Sequence, residues 1–279
     1  MKKVISLIIV VMMIVSVLVS FTGSSVSEKI IPSLNISANN ISYAVSNSLY
    51  GISLENTGNA VDGGLISNLV NNNSFEYSNN PVAAWEISAE TYSVLSEEGL
   101  NENNKNYLSV TVNGQGKVEN TGYSEVYNYK SYQVNSKKAT EPDMPFKATE
   151  IYRFSAYFKN FDYEGTLTAS LNAQGNKEKY QFNIDTCNEW TLISLEIRSD
   201  VTDDGSLLIS FEGEGSFYMD YVTLIPMSSY GCGSDEWQYV SLRSDLVKSI
   251  YTLSPSFIRF SAGEFDKSTI IEELGSWKN

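Results

Sequence analysis

The pattern of apolar and polar positions changes character several times along the chain. Lys2 and Lys3 precede an unbroken apolar run from Val4 to Val19, followed by the small-residue stretch Ser20-Phe21-Thr22-Gly23-Ser24-Ser25. Strand-like alternation follows in Leu34-Asn35-Ile36-Ser37 and Ile41-Ser42-Tyr43-Ala44-Val45. Leu49-Tyr50-Gly51-Ile52-Ser53-Leu54-Glu55 then reads as a short, mostly buried strand ending in an acid, with Asn56-Thr57-Gly58-Asn59 as its loop. Asp62 is placed to N-cap a short helix whose one face carries Leu65, Ile66, Leu69 and Val70. The cluster Asn71-Asn72-Asn73-Ser74 stops it.

From about Phe75 to Pro226 the period shortens to two. Segments rich in Tyr, Val, Thr and Phe alternate with turn clusters: Tyr107 to Val112 before Asn113-Gly114, and Tyr152 to Phe158 before Lys159-Asn160. Thr166 to Leu171 and Lys179 to Ile184 flank Gln174-Gly175-Asn176, and Thr191 to Ile197 precedes Asp203-Asp204-Gly205. Leu207 to Phe211 precedes Gly213, and Phe217 to Ile225 closes the set. Short strands at this spacing predict an all-β sandwich. After Pro226 a helical period returns in Leu242, Leu246, Ile250 and Leu253, and Pro255 ends it. Phe257-Ile258-Arg259-Phe260 follows as a predicted buried strand, and Ser261-Ala262-Gly263 turns. With the β insertion removed, strand, helix, helix and strand make the beginning of a parallel βαβ arrangement.

Composition narrows the chemistry. Histidine is absent, which excludes Ser-His-Asp and Cys-His nucleophile systems and His-based zinc sites. Acid–base work therefore falls to carboxylates, Tyr or Lys. The formal charge of −14 repels nucleic acid and anionic lipid and suits a neutral partner such as a polysaccharide; solubility alone is the other reading of that charge. The two cysteines, Cys187 and Cys232, lack metal or redox spacing, and a disulfide between them stays open. The N-terminal run is short for a membrane span of roughly 20 residues and reads as an export signal, the alternative being an uncleaved membrane anchor. The expected organisation is a signal peptide at 1–27, N-terminal strands with a first strand and helix at 28–74, a β-sandwich at 75–227, and a second helix and strand at 228–279.

The segments flanking the β insertion resemble the family 51 α-L-arabinofuranosidases. Leu49 to Glu55, running through Asn59-Ala60-Val61-Asp62-Gly63-Gly64-Leu65 to Asn73-Ser74-Phe75-Glu76, is similar to that family's first barrel strand and following helix. Arg243-Ser244-Asp245-Leu246 through Phe257-Ile258-Arg259-Phe260 to Gly263, ending in Trp277-Lys278-Asn279, resembles its second strand and the turn beyond. The resemblance implies a mixed fold, the N-terminal part of a (β/α)8 barrel interrupted by an all-β jelly-roll sandwich. It implies a secreted, retaining glycoside hydrolase acting on arabinan or arabinoxylan, in which one carboxylic acid protonates the leaving oxygen and a second carboxylate attacks the sugar. The family carries those two glutamates on its fourth and seventh barrel strands, so this chain, with two, is expected to be inactive alone; a non-catalytic carbohydrate-binding protein is the alternative. By the same resemblance Glu55 hydrogen-bonds an arabinose hydroxyl, Arg259 steadies the nucleophile, and Gly263, Glu264 and Trp277 border the sugar; the alternatives are a solvated acid at Glu55, a structural ion pair at Arg259 and core packing at Trp277. Glu264 departs from the family's pattern there, adding bulk and charge.

The insertion resembles CenC-type carbohydrate-binding modules at Asn73-Ser74-Phe75-Glu76, Asn188-Glu189-Trp190-Thr191 and Phe217-Tyr218-Met219-Asp220-Tyr221-Val222. That likeness makes Glu76 and Asp220 candidate ligands of a structural Ca²⁺, against the plain reading of two surface acids. Trp85, Tyr123, Tyr127, Tyr129 and Tyr132 are candidates for stacking on a sugar face, with core packing as the alternative. Trp190, at the start of a strand, is assigned to the core.

Overall fold

The computed structural model describes residues 8–9, 11–14, 34, 46, 48–55, 60–78, 80–123, 126–128, 133–135, 142–234 and 241–261. The chain divides into two units, 1–46 and 47–279. In the first, residues 8–9 and 11–14 are helical. Among the described residues no helix is long and apolar enough to cross a membrane.

The second unit opens with β1 (Ile52–Glu55), and the helix expected after it does not form. Val61–Leu65 is an irregular turn in which Asp62 is extended (ψ 120°) and Gly63 has φ +80°. Ala60 occupies the cap position, without a side-chain cap bond. The reason is tertiary. The Tyr123 ring lies 2.5 Å from where a Gly63 Cβ would be, and its hydroxyl donates to Asp62 Oδ1 at 2.6 Å. From Ile66 the chain is extended and bridges Leu242, and the N–H and hydroxyl of Ser67 both donate to the Ser241 carbonyl at 2.9 Å. The two crossings into and out of the insertion are thereby zipped together. Of Leu65, Ile66, Leu69 and Val70, only Val70 is fully buried.

The insertion is built from β2 (Trp85–Ser88), β3 (Thr91–Leu95), β4 (Tyr107–Asn120), β5 (Val126–Asn128), β6 (Gln133–Asn135) and β7 (Met144–Phe146). β8 (Ile151–Asn160), β9 (Glu164–Asn172), β10 (Tyr180–Phe182), β11 (Cys187–Arg198) and β12 (Asp203–Pro226) complete it. β4 and β12 form its spine, antiparallel from Leu207↔Asn120 to Met219↔Leu108. The first half of β12 carries β9 and, beyond it, β10; the second half carries β8 and then β11. β2 and β3 add to opposite ends of β4. Two wings thus share one spine and enclose one core. Leu108, Val110, Val112, Val118, Phe154, Phe158, Leu167, Ile209, Phe217 and Leu224 are buried in it. The period-two alternation of β8, with Tyr152, Phe154, Ala156 and Phe158 inward, is the sequence pattern at work.

Four predicted turns are instead strand, one of them Lys159-Asn160 at the end of β8. Asn113-Gly114 lies inside β4; Asp203-Asp204-Gly205 and Gly213 lie inside β12. Gly114 pairs directly with Gly213, and Asp203 to Gly205 pair with β7. Glycine here bends two paired strands rather than ending them. Gly215 has φ +107°, and a Cβ there would sit 2.3 Å from the Asp162 carbonyl oxygen, so only glycine fits the corner.

The outer elements are α1 (Ser244–Leu253) and β13 (Ile258–Ser261). β13 pairs with β1 in parallel, Ile52↔Ile258 to Glu55↔Ser261. Leu242 bridges Tyr230 and Ile66 instead of joining the helix. α1 ends before Pro255 with Ser254 left-handed at φ 45°. The second strand is not buried as the sequence suggests: Phe257 and Ile258 are about half exposed at 49% and 53%. Among the described residues the β1–β13 pair has no third strand beside it.

Candidate functional site

Among the described residues Asp220 stands out as a buried carboxylate with an unpartnered oxygen. It sits at an irregularity in β12, between its pairing with Tyr157 and that of Thr223 with Ser155, and the next residue, Tyr221, is left-handed at φ 46°. Its carboxylate is wholly buried. Oδ1 accepts the Tyr221 N–H at 2.6 Å, whereas Oδ2 has no hydrogen-bond partner. Burial pushes the carboxyl up to about 8; the Tyr221 N–H opposes this, the charge of Glu76 adds to it, and the Asn104 amide opposes it. Asn104 is itself buried, and neither its Oδ1 nor its Nδ2 completes a hydrogen bond.

Glu76 is spent largely on another task. Its Oε1 accepts the Lys105 and Asn106 N–H groups, both at 2.8 Å, and Oε2 accepts Asn106 Nδ2 at 2.9 Å. It anchors the loop that carries Asn104 and keeps one lone pair on Oε2. The donors left over are Asp220 Oδ2, Asn104 Oδ1 and that lone pair. All are hard oxygens, which fits a calcium ion and not a soft metal. Among the described residues no three His, Cys, Asp or Glu side chains cluster as a metal set. A cation here would therefore draw on the amide and backbone oxygens beside the two carboxylates.

Glu119 shows what a satisfied buried carboxylate looks like. It accepts from Lys117 Nζ at 2.6 Å, Asn172 Nδ2 at 2.6 Å and the Ser206 hydroxyl. Burial raises its pKa, but the bonds from Lys117, Ser206 and Asn172 outweigh that and hold it below the usual value. It needs no further partner; Asp220 does.

The predicted sugar-stacking aromatics do not assemble. Trp85 is core: it is 7% exposed, its indole N–H donates to the Asn72 carbonyl at 2.9 Å, and its ring packs 5.2 Å from Phe75. Tyr123 is half-buried and tied to Asp62, clamping the turn after β1. The Tyr127 side chain, and Tyr129 and Tyr132 entirely, lie outside the described residues. Trp190 is not in the main core. It stands edge-on to Tyr107 at 5.4 Å in a satellite group where Tyr107 meets Tyr218 at 4.9 Å and Tyr218 meets Phe161 at 5.1 Å. Cys187 and Cys232 are free thiols, both half-buried.

Of the barrel-type candidates, Glu55 ends β1 opposite Ser261, at the C-terminal edge of the parallel pair; its side chain lies outside the described residues. Arg259 stands opposite Ser53 and is exposed, whereas the sequence placed it in a buried strand. The described residues put no layer over that strand to bury it. Gly263, Glu264 and Trp277 lie outside the described residues.

The sequence reading missed a cleft of about 680 Å³ lined by Asn101, Glu102, Asn103, Asn104, Tyr157 and Tyr221. Its loop side is a tight turn in which Asn101 Oδ1 accepts the N–H groups of Asn103 and Asn104, both at 2.9 Å. The polar run Asn101-Glu102-Asn103-Asn104 signals the turn but not the burial of its last member.

No family model matches the chain. It is 28% identical over 229 residues to an extracellular exo-α-L-arabinofuranosidase of Streptomyces chartreusis, covering 79% of this chain and 24% of that protein. It is 25% identical over 266 residues to α-L-arabinofuranosidase 2 of Arabidopsis thaliana, covering 90% of this chain and 37% of that protein. The chain thus spans between about a quarter and somewhat over a third of these relatives' length. Among solved structures, an arabinose-bound family 51 α-L-arabinofuranosidase superposes with a TM-score of 0.62 at 20% identity, over 81% of this chain and 36% of that one. The chain is thus similar in sequence to α-L-arabinofuranosidases over part of their length, and over the matched region it shares the fold of a family 51 member.

Proposed function

We propose that the chain forms the exported front part of a retaining glycoside hydrolase that releases α-L-arabinofuranosyl residues from arabinan or arabinoxylan. The observation that supports this best is the parallel pairing of β1 with β13 across the whole β insertion, which sets Glu55 at the C-terminal edge. Active sites of βα barrels form at that edge. Glu55 and Arg259 then serve the sugar and the nucleophile as positioning groups, with Gly263, Glu264 and Trp277 at the rim. The acid and nucleophile glutamates belong to further βα units, so the 279 residues alone are inactive. Incubation of the purified chain with an aryl α-L-arabinofuranoside tests this. No release of the aryl alcohol is expected, and turnover that disappears in Glu55→Gln would overturn it.

A second reading, a non-catalytic carbohydrate-binding protein, is favoured by the closed core of the insertion. In both readings a structural Ca²⁺ held by Glu76 and Asp220 would answer the unpartnered Asp220 Oδ2. It would fix Glu76, and the Asn101–Asn106 loop that Glu76 anchors, onto β12, with no part in bond cleavage.

A further inference from the structure

We propose that residues 96–106, which join β3 to β4, form a hinged strap. The limb at Glu97 and Glu98 swings off the sheet while the limb at Lys105 and Asn106 stays anchored, and the motion uncovers Tyr107 and Trp190. The segment Ser96-Glu97-Glu98-Gly99-Leu100-Asn101-Glu102-Asn103-Asn104-Lys105-Asn106 supplies one large apolar side chain, Leu100, which is only half-buried. No residue of it belongs to the hydrophobic core. A segment without buried apolar contacts opens at a lower free energy than the sheet beneath it.

The two limbs are held unequally. The second is bound by the Glu76 carboxylate, which accepts the Lys105 and Asn106 N–H groups at 2.8 Å and Asn106 Nδ2 at 2.9 Å. Hydrogen bonds to a carboxylate are roughly twice as strong as neutral ones. The first limb rests on two neutral bonds, from the Tyr107 hydroxyl to the Glu97 carbonyl at 2.7 Å and from the Trp190 indole N–H to the Glu98 carbonyl at 3.3 Å. The Lys159–Glu98 ion pair at 3.3 Å adds little, because the Glu98 side chain is 83% exposed. Glu98 is left-handed at φ 58°, a state that costs free energy outside glycine and that release would relax. The limbs touch at Gly99, where a Cβ would lie 2.3 Å from the Lys105 carbonyl oxygen, and the pivot is at this crossing.

The swing uncovers the inner end of an aromatic row. Tyr107 is buried and Trp190 half-buried, and Tyr107 leads through Tyr218 to Phe161, which is already exposed. Release of the first limb extends this aromatic surface from Phe161 and Tyr218 to Tyr107 and Trp190.

Hydrogen exchange of the full chain, followed by NMR in chelator so that no cation bridges Glu76, tests the hinge. Each rate is taken relative to the same group in an unfolded chain, and Trp190→Phe assigns the indole signal. In the wild type the Trp190 indole N–H should be about tenfold less protected than the Lys105 and Asn106 amides. Tyr107→Phe deletes one bond to the first limb and keeps the ring. It should speed exchange at Trp190 about fivefold and leave Lys105 and Asn106 unchanged. Equal protection of all three groups in the wild type, or their joint acceleration by Tyr107→Phe, would show a loop that moves as one body and would overturn the hinge. Protection of the indole equal to that of the β4–β12 ladder would overturn local opening altogether. Both wild-type comparisons need no variant, so they decide the matter even if Tyr107→Phe fails to fold.

Discussion

Asp220→Asn separates a buried carboxylate that waits for a cation from one that is merely a packing element. The substitution keeps volume and shape and removes the ionisable group. In chelator, the wild-type carboxyl rises from 3.8 to about 8 on folding. A group whose pKa rises on folding leaves stability intact below its unfolded value and withdraws it as pH climbs through its folded value. The wild type should therefore lose stability between about pH 4 and pH 8, then level off. At about 1.4 kcal/mol per pH unit the ceiling of this loss is roughly 6 kcal/mol. Relaxation of side chains and water around the carboxylate brings the expected loss to about 2–3 kcal/mol. For a unit of this size that is a fall in Tm of about 5–10 °C. Asp220→Asn should be nearly flat over the same range. Calcium should reverse the effect: at a hundredfold excess over Kd it adds about 2.7 kcal/mol to the wild type at pH 8 and little to the variant. Melts at pH 4 to 9, in chelator and in millimolar calcium, read all four cases. Parallel pH profiles for wild type and variant in chelator would refute the burial argument, and an equal calcium shift in both would refute the ligand assignment.

Gly215→Ala should destabilise the protein by at least about 2–3 kcal/mol in urea melts, because the left-handed backbone and the Asp162 carbonyl at 2.3 Å both resist a Cβ. Asn120→Ala should cost about 2–4 kcal/mol, since Asn120 donates to the Asn71 carbonyl and accepts from the Asn71 and Gly122 N–H groups, all of which would be left buried. Trp85→Ala should cost about 3–5 kcal/mol through the cavity and the lost bond to Asn72, identifying it as a core residue by denaturant titration. N-terminal sequencing of the exported protein should begin between Ser20 and Glu28, and a start at Met1 would contradict cleavage of the apolar run.

The β character of the insertion was written into the sequence at residues such as Tyr152, Phe154, Ala156 and Phe158, whose alternation is a local property of a strand with one buried face. The two-part motif around it was legible for the same reason, and the parallel pairing of β1 and β13 followed from the strand and helix periods on either side. Glycine misled where its meaning depended on a distant partner. Asn113-Gly114 and Gly213 look like turns until the two strands are laid side by side, when the glycines prove to face each other across one bend. Asp62 looked like a helix cap, but Tyr123, 61 positions away, holds it in an extended turn. Arg259 looked buried because its neighbours are apolar, yet burial depends on what covers a strand and not on its composition. The acid Asp220 was named from sequence; its unpartnered oxygen, its proximity to Glu76 and the empty hydrogen-bonding capacity of Asn104 were not. Those depend on long-range pairing, which sets desolvation and partner geometry and which no local pattern encodes.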